Sequence, residues 1–304
     1  MSEGEATAVP LLAVPNFSEG RDQAIVDRLA GALVAPPGVR LLDRHLDPDH
    51  NRTVLTAAGD PVALIDGLIA AAKVAAREID AANPPGGPGV HPHVGALDVA
   101  PLVYLNEEDL GRACAAALVL GDRLGAEVGL PVFLYGSLGG GRSRAELRRG
   151  GVAGLGQRLA CGQLKPDFGP DRLHPTAGAT LVAARPPLVA FNCHLKEGVT
   201  LEQAKVVAAE LREGGAAGLP GVRALAMALP RRGETILSFN VEQPLQLPLA
   251  TLLEQVSKRV AVSSCEIVGL CPEAALSGFP EELLRDFDAG RQLLERALAS
   301  AGDR

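Results

Sequence analysis

The stretch GVHPHVGALDVAPLV, residues 89–103, joins a Gly/Pro-rich loop to an apolar strand and contains two of the six histidines of the chain. Its second part, within 96–104, is a run of mostly apolar residues that predicts a largely buried strand. Pro92 disfavours a helical backbone at the residue before it, so His91 is expected to be extended. Because side chains alternate along an extended chain, His91 and His93 should point to the same side, where a loop enters a rigid strand.

This strand closes a series of elements that occurs twice in the sequence. The first series is predicted as strand 9–15, helix 22–34, strands 39–47 and 52–58, helix 61–82 and strand 96–104, followed by an added helix 106–128 and strand 131–135. The second series is predicted as strand 188–195, helix 200–213, strands 222–229 and 235–241, helix 249–260 and strand 264–270, with closing helices within 281–300. Both series have the order β-α-β-β-α-β.

The repeated split β-α-β order indicates the fold class. It predicts an α/β (α+β) chain of two ferredoxin-like lobes, each a mixed or antiparallel sheet with helices on one face. The junction lies within 169–187, and we place the division after residue 178. All six histidines fall between positions 45 and 194, so the N-terminal subdomain, 1–178, is expected to carry most of the chemistry. The C-terminal subdomain is expected to span 179–304.

Composition and charge restrict the class of protein. A chain of 304 residues is long enough for two domains, and its net charge of −7 argues against general binding of nucleic acid, which requires a positive surface. Neither a leader sequence nor an apolar run of membrane length is found, so we expect a cytoplasmic protein that does not bind membranes. The five cysteines are scattered without C-x-x-C spacing, which predicts buried free thiols instead of disulfides or a zinc site.

The segment DRHLDPDHNR, residues 43–52, places seven ionisable side chains between two apolar strands. One interpretation is a polar hairpin turn, and the other is a set of histidines and arginines that orients an acidic substrate. A metal site is a third hypothesis, in which His91 and His93 are completed by His45, Asp47 or His174. A histidine pair without a defined third ligand is weak evidence for zinc, so we expect no metal.

Two further segments have both an ordinary and a functional interpretation. The glycine-rich run 136–141 leads into the basic stretch 142–149, which is either a solvated helix or a group that attracts an anionic ligand tail. The Pro/Gly-punctuated segment 166–178 at the junction is either a linker or the lining of a cleft between the lobes, where ligand sites commonly lie.

Six short motifs follow one another in an order that is specific when taken together. They are VPNFSEGR at 14–21, NRT at 51–53, HP at 91–92 with GALD at 95–98, LYG at 134–136, PDFGP at 166–170 and AFN at 190–192. Together they resemble the glutamate formimidoyltransferases, the formiminotransferase domain family of histidine breakdown, from about residue 9 to about residue 270. The resemblance implies a two-lobed α/β enzyme, usually a homodimer, with folate in a cleft between its lobes. It also implies transfer of the formimino group of N-formimino-L-glutamate to N5 of tetrahydrofolate or its polyglutamates.

The resemblance assigns roles to residues of this chain. His91 takes the position of the catalytic acid/base of the family. The folate-binding stretch of the family falls on Gly169, Pro170, Asp171, Arg172, Leu173, His174, Pro175, Thr176, Ala177 and Gly178. We expect His45, Arg52 and His93 to contact the amino-acid substrate, although relatives differ from this chain at positions 45, 93 and 177. Arg52 and Arg172 are candidates for binding the glutamate carboxylates.

The chemistry implied by the resemblance suits these residue types. Transfer to an amine nitrogen requires one proton to leave the nucleophile and one to reach the departing nitrogen, and a histidine of near-neutral pKa can perform both steps. Carboxylates such as Asp43, Asp47 or Asp98 are suited to stabilise a cationic tetrahedral intermediate. Two alternatives stay open: transfer of a formyl group from N-formylglutamate, and a folate-binding homologue without catalysis. The intact motif around His91 argues against the second.

Overall fold

Two β-sheets form the framework of the protein, for which a computed structural model describes residues 9–300. The first sheet contains β1 Leu11–Ala13, β2 Asn16–Phe17, β3 Arg40–Asp47, β4 Arg52–Gly59, β5 Leu97–Val103, β6 Val132–Leu134 and β7 Thr180–Arg185. The second sheet contains β8 Val189–Leu195, β9 Val222–Leu229, β10 Glu234–Val241 and β11 Val262–Val268. The helices are α1 Gln23–Leu33, α2 Pro61–Glu78, α3 Leu110–Arg123, α4 Arg144–Arg148, α5 Gly151–Ala160, α6 Leu201–Leu211, α7 Leu249–Ser257, α8 Ala289–Gln292 and α9 Leu294–Ser300.

The order of the strands agrees with the two predicted series. In the first sheet β3 pairs with β4, and β1 and β2 both lie between β4 and β5. Strand β7 then pairs in parallel with both β5 and β6. The second sheet is antiparallel and has the order β11-β8-β10-β9. The predicted α/β class with two lobes is therefore confirmed.

Capping residues in the sequence explain where three of the longer helices begin. The side chain of Asp22 accepts hydrogen bonds from backbone N–H groups in the first turn of α1. Asp60 does the same for α2, and Pro61 occupies the first turn, where its missing N–H costs nothing. Thr200 and Gln203 form a reciprocal capping box at the start of α6.

Each sheet buries one face against helices. Leu29, Leu68 and Leu120, one each from α1, α2 and α3, share a core with the first sheet, and α6 and α7 cover the second sheet. The first lobe also has helices on its other face, because α4 and α5 pack there through Leu147 and Leu155. This addition covers the part of the sheet around β6 and β7, which extends beyond the ferredoxin-like unit.

Strand β7 is absent from the elements predicted from the sequence. Its residues, Thr180–Arg185, fall within the predicted C-terminal subdomain, yet their backbone hydrogen bonds are made with β5 and β6 of the first sheet. The chain passes from the first sheet to the second between Arg185 and Val189. We therefore propose that the division between the lobes lies there and not after residue 178.

The structure also bears on two expectations drawn from composition. Within residues 9–300, no helix is both long enough and apolar enough to cross a membrane. The five cysteines are free thiols, and Cys193, Cys265 and Cys271 are buried as expected. Cys161 is exposed, so for this thiol the expectation of burial is wrong.

Candidate active site

A cleft between the two sheets collects the polar side chains of both lobes. It encloses about 1170 Å³, including its opening to solvent. Alternation along the strands explains its lining, because Phe191 and Cys193 of β8 face the helical core whereas Asn192 between them faces the cleft. His45 of β3 and Arg52 of β4 line the opposite wall. The face of each sheet opposite its main helical core thus becomes one wall of a shared site, with residues of α4 and α9 at its edges.

His91 lies half-buried in this cleft, and its Nδ1 has two competing partners. Nδ1 is 2.8 Å from the carbonyl oxygen of Pro92 and 2.9 Å from Nη1 of Arg52. With the proton on Nδ1, the ring donates to Pro92 and Nε2 carries the free lone pair of a base. With the proton on Nε2, Nδ1 accepts from Arg52 and Nε2–H is a donor. Each neutral tautomer therefore keeps one hydrogen bond at Nδ1.

The surroundings of His91 favour its neutral form. Burial lowers the pKa of His91 well below its ordinary value, and the positive charges of Arg52 and Arg148 lower it further. The ring of His50 lies 6.1 Å from that of His91, centroid to centroid, and adds a smaller effect in the same direction. A neutral imidazole at physiological pH is the form that a general base requires.

We expect His91 to titrate below the ordinary range of histidine, which is centred near pH ~6.5. Replacing Arg148 by methionine removes one of the charges that hold its pKa down, so the titration should move toward higher pH. Following the imidazole signals by NMR over about pH 4 to 8 measures both midpoints. Arg149→Met is the matched control, because Arg149 is exposed and lies outside the cleft. An unchanged midpoint in Arg148→Met would contradict this electrostatic account.

A buried carboxylate holds the two arginines that face His91. Asp98 is 1% exposed and accepts a hydrogen bond of 2.9 Å from the backbone N–H of Val94. Its Oδ2 lies 3.2 Å from Nη1 of Arg52 and also pairs with Arg148. Burial opposes ionisation, but the two guanidinium groups outweigh it and lower the pKa of Asp98. The carboxylate is therefore a structural counter-charge and not a group that is free to contact substrate.

Arg52 is fixed from a second side as well. Its Nε and Nη2 donate to Oδ1 of Asn16 at 2.8 and 2.5 Å. Burial, reinforced by the charge of Arg148, lowers the pKa of Arg52 to about 9. The predicted substrate contact of Arg52 is consistent with its place in the cleft, and its contact with His91 adds a positioning role that the sequence did not reveal.

Asp47 supplies negative charge to the same end of the cleft. Its Oδ1 accepts from the backbone N–H of His50 at 2.7 Å, and its Oδ2 pairs with Arg232 of the second lobe at 2.9 Å. Burial raises its pKa, but hydrogen bonds from His50 and the charge of Arg232 outweigh this and leave the pKa far below its ordinary value. The 43–52 segment is therefore more than a polar turn, because Asp47 and His50 both line the cleft.

His45 lines the cleft next to polar groups of the second lobe. Its Nε2 is 3.9 Å from Oε1 of Glu266, whose Oε2 accepts from Asn192 at 3.0 Å. Burial opposes ionisation of Glu266, but its hydrogen bonds with His194 and Asn192 prevail and lower its pKa to about 2. His45 is thus in a position to contact a ligand, and its assignment to substrate binding stays a prediction.

The structure does not bring His93 into the cleft. Its Nε2 is 3.2 Å from the carbonyl oxygen of Ala81, and neither residue belongs to the cleft lining that includes His91. The expected alternation fails here because β5 begins only at Leu97, so residues 91–93 are not part of a strand. The predicted substrate contact of His93 therefore has no support from this arrangement.

The predicted folate-binding stretch, 169–178, also lies outside the lining of the cleft. It packs behind the 91–95 segment, where Gly178 forms a β-bridge with Gly95. The ring of His174 accepts a hydrogen bond of 3.0 Å from the backbone N–H of Ala177, and Arg172 is exposed. The role of this stretch in folate binding stays a prediction.

Three arginines outside the predicted site line the cleft: Arg144, Arg148 and Arg185. Arg144 and Arg148 are one helical turn apart on α4, which places both on one face. Arg142 instead pairs with Asp167 at 2.6 Å, outside the cleft. The basic stretch is therefore not simply a solvated helix. The i, i+4 spacing of Arg144 and Arg148 in the sequence indicates that the two side chains share one helix face. Only the packing of α4 shows that this face meets the cleft.

The loop that carries His91 is anchored to both lobes. Nη1 of Arg21 donates to the carbonyl oxygens of Pro85 and Gly87 at 2.9 and 2.8 Å. The side chain of Val90 packs against an apolar cluster on the second sheet, Met227, Leu229 and Ile236. At Gly89 an added methyl group would lie 1.9 Å from the carbonyl oxygen of His50, so a larger residue does not fit there.

Comparisons with known proteins agree with one another. The family model described as formiminotransferase domain, N-terminal subdomain, matches residues 10–185 of this chain. Glutamate formimidoyltransferase of Streptococcus pyogenes serotype M1 is 33% identical over 94% of this chain and 97% of that protein. The Thermoplasma acidophilum protein of the same name is 34% identical over 95% of this chain and 97% of its own length. Formimidoyltransferase-cyclodeaminase of Sus scrofa is 36% identical over 86% of this chain, which spans 50% of that longer protein.

Proposed function

The chain belongs to the formiminotransferase domain family, and from this premise we propose that it transfers the formimino group of N-formimino-L-glutamate to N5 of tetrahydrofolate. The products are L-glutamate and 5-formiminotetrahydrofolate. The arrangement that carries the proposal is a shared cleft lining, in which His91 lies with an arginine cluster that lowers its pKa and with Asp47, whose pKa is also lowered.

We propose that His91 moves both protons of the reaction. N5 of tetrahydrofolate attacks the formimino carbon, and Nε2 of His91 takes the proton that N5 loses as the N–C bond forms. The resulting imidazolium then gives a proton to the nitrogen of glutamate as its bond to the same carbon breaks. Return to either neutral tautomer leaves Nδ1 with a hydrogen-bond partner, Pro92 or Arg52.

The charges of the cleft match those of the proposed donor. Formiminoglutamate carries two carboxylates and a cationic amidine, and the cleft offers arginines together with Asp47. Asp47 favours the formimino donor over N-formylglutamate, since a formyl group has no positive charge for a carboxylate to stabilise. We propose that Arg52 and His45 contact this donor.

We also propose that tetrahydrofolate, or its polyglutamates, is the co-substrate, that the protein acts as a cytoplasmic homodimer, and that no metal takes part. These proposals follow the family resemblance and the cysteine pattern. Among residues 9–300 no three metal-ligating side chains converge. Loss of activity to a chelator and its return with one particular metal would refute the last of them.

Incubation of the purified protein with tetrahydrofolate and either formiminoglutamate or formylglutamate tests the reaction, and the folate absorption spectrum reports it. We expect a spectral change with formiminoglutamate that depends on the enzyme. Turnover with formylglutamate alone would replace the proposal by formyl transfer. Absence of turnover with both donors, together with intact folate binding, would favour a non-catalytic homologue.

The anchoring of the loop leads to a prediction about Gly89. Gly89→Ala forces a methyl group against the His50 carbonyl, so the backbone on the N-terminal side of His91 must shift. A displacement of about 1 Å is enough to lower turnover by roughly 10²-fold. The control is Gly31→Ala, because an added methyl group there meets no atom within 4 Å. Steady-state kinetics compare the two, and normal turnover in Gly89→Ala would show that the loop adapts without moving His91.

A further inference from the structure

Arg185 lines the cleft with no carboxylate at ion-pair distance in the described chain, and the charge of Glu242 acts on it only from farther away. It ends β7, and its Nη1 donates to the carbonyl oxygen of Pro186 at 2.9 Å. Its Nε is buried and has no hydrogen-bond partner within the described chain, 9–300, where no carboxylate pairs with it either. Burial lowers the pKa of Arg185, which reflects the cost of removing its charge from water. A desolvated cation of this kind is expected to be stabilised by a bound anion.

Two side chains beside Arg185 also have free hydrogen-bonding capacity. The hydroxyl group of Tyr135, which follows β6, is buried beside Arg185 and raises the pKa of that guanidinium group, yet it makes no hydrogen bond of regular geometry among residues 9–300. The guanidinium carbon of Arg144 lies 5.7 Å from the centroid of the Tyr135 ring, which places a second cation next to this side chain. The nearest carboxylate to Arg144 is Glu242, at 3.7 Å, which is too long for a hydrogen bond.

The charge balance of the arginine cluster leaves a surplus. Its four guanidinium groups belong to Arg52, Arg144, Arg148 and Arg185. Asp98 serves both Arg52 and Arg148, and Glu242 lies near Arg144. Glu242 also pairs with Arg223, at 3.3 Å, so the four guanidinium groups face at most two negative charges and positive charge remains for a ligand.

The strand that carries Arg185 extends along the cleft away from the level of Asp98. Val99, next to Asp98, pairs with Leu181 of β7, and Arg185 follows four residues later. The rise along a strand is ~3.3 Å per residue, so the backbone of Arg185 lies about 13 Å along β7 from that of Leu181. The backbone that carries Arg185 is therefore displaced along the cleft from the level of Asp98, which suits a ligand whose carboxylates lie away from its reacting carbon.

We infer that Arg185, Arg144 and Tyr135 form a subsite for the dicarboxylate of a glutamate group and select substrates by their double negative charge. The inference deepens the proposed function, on which the identity of the ligand rests. Glutamate occurs in both proposed substrates, as formiminoglutamate and as the tail of tetrahydrofolate. The shared chemistry is a pair of carboxylates joined through three carbon atoms, and either source satisfies it.

The principal test is Arg185→Met, which keeps most of the side-chain length and removes the charge. Charge-assisted hydrogen bonds contribute about 1.5–3 kcal/mol, so KM for one glutamate-bearing substrate should rise about 10- to 100-fold, with kcat within about 3-fold of the original. If only KM for formiminoglutamate rises, the subsite holds the donor. If KM for tetrahydrofolate rises but that for tetrahydropteroate, which lacks glutamate, does not, the subsite holds the folate tail. Unchanged KM for all three substrates would overturn the inference.

Binding of simple acids separates the subsite from the reaction. Glutarate and butyrate differ by one carboxylate, and calorimetric titration should show preference for glutarate in the original protein and loss of that preference in Arg185→Met. Glutarate binding that depends on Arg185 in a protein without formimino transfer would leave the subsite standing and refute the proposed function. Equal preference in both proteins would refute the subsite.

Controls address folding and general electrostatics. Arg149→Met removes an equal charge from an exposed position outside the cleft and should leave every KM unchanged. Arg185→Met should melt at the same or a higher temperature, because it removes a buried cation that has no partner. A lower melting temperature would indicate a structural role for Arg185.

Tyr135→Phe removes one hydroxyl group from the subsite. Its KM should rise for the same substrate as in Arg185→Met, but by a smaller factor.

Discussion

Replacing His91 by alanine should lower the turnover rate by about 10² to 10⁴, the usual contribution of a positioned general acid/base. The variant loses the imidazole that accepts the proton from N5 and returns it to the departing nitrogen. Folate affinity should change little, because the lost interaction acts on the transition state. Steady-state kinetics and a separate folate titration distinguish the two effects.

His93→Ala is the matched control for this experiment. Its imidazole is two residues away in sequence but contacts the Ala81 carbonyl outside the cleft, so turnover should stay within a few-fold of the original. Near-normal turnover in His91→Ala would refute the proposed mechanism. Equal and large losses in both variants would instead favour a shared metal or a coupled histidine pair.

Asp98→Asn should have the largest effect on stability. The substitution keeps the volume of the side chain but removes the counter-charge of two partly buried guanidinium groups, those of Arg52 and Arg148. Removing one partner of a buried ion pair costs about 3–5 kcal/mol in the free energy of unfolding. Urea denaturation at neutral pH measures this loss. Asp122→Asn, at an exposed position, is the control and should be nearly neutral.

The pH dependence of stability gives an independent check on Asp98. Its pKa is lower in the folded protein than in the unfolded chain, so its contribution is complete above the ordinary aspartate pKa of ~3.9 and is lost as the pH falls below it. The original protein should therefore lose stability in acid more steeply than Asp98→Asn. Parallel loss of stability in both proteins would show that Asp98 does not stabilise the fold as an ion.

Local sequence patterns specify the repeated β-α-β-β-α-β order and the extended backbone expected at His91 before a proline. These features depend on short-range physics: alternation within strands, apolar periodicity within helices, capping residues such as Asp22 and Thr200, and the steric effect of Pro92. Each acts over a few residues and can be read without knowing what lies opposite. The order of the six motifs then indicated the family.

Contacts between elements that are distant in sequence determine which side chains share the cleft. Strand β7 joins the first sheet through hydrogen bonds with β5 and β6, which are distant in sequence, and this pairing brings Arg185 beside Arg144. The same packing turns His93 away from the cleft and leaves the 169–178 stretch outside its lining. The charge surplus of the arginine cluster and the lowered pKa of His91 depend on burial and on distances between separate elements, so no local pattern in the sequence specifies them.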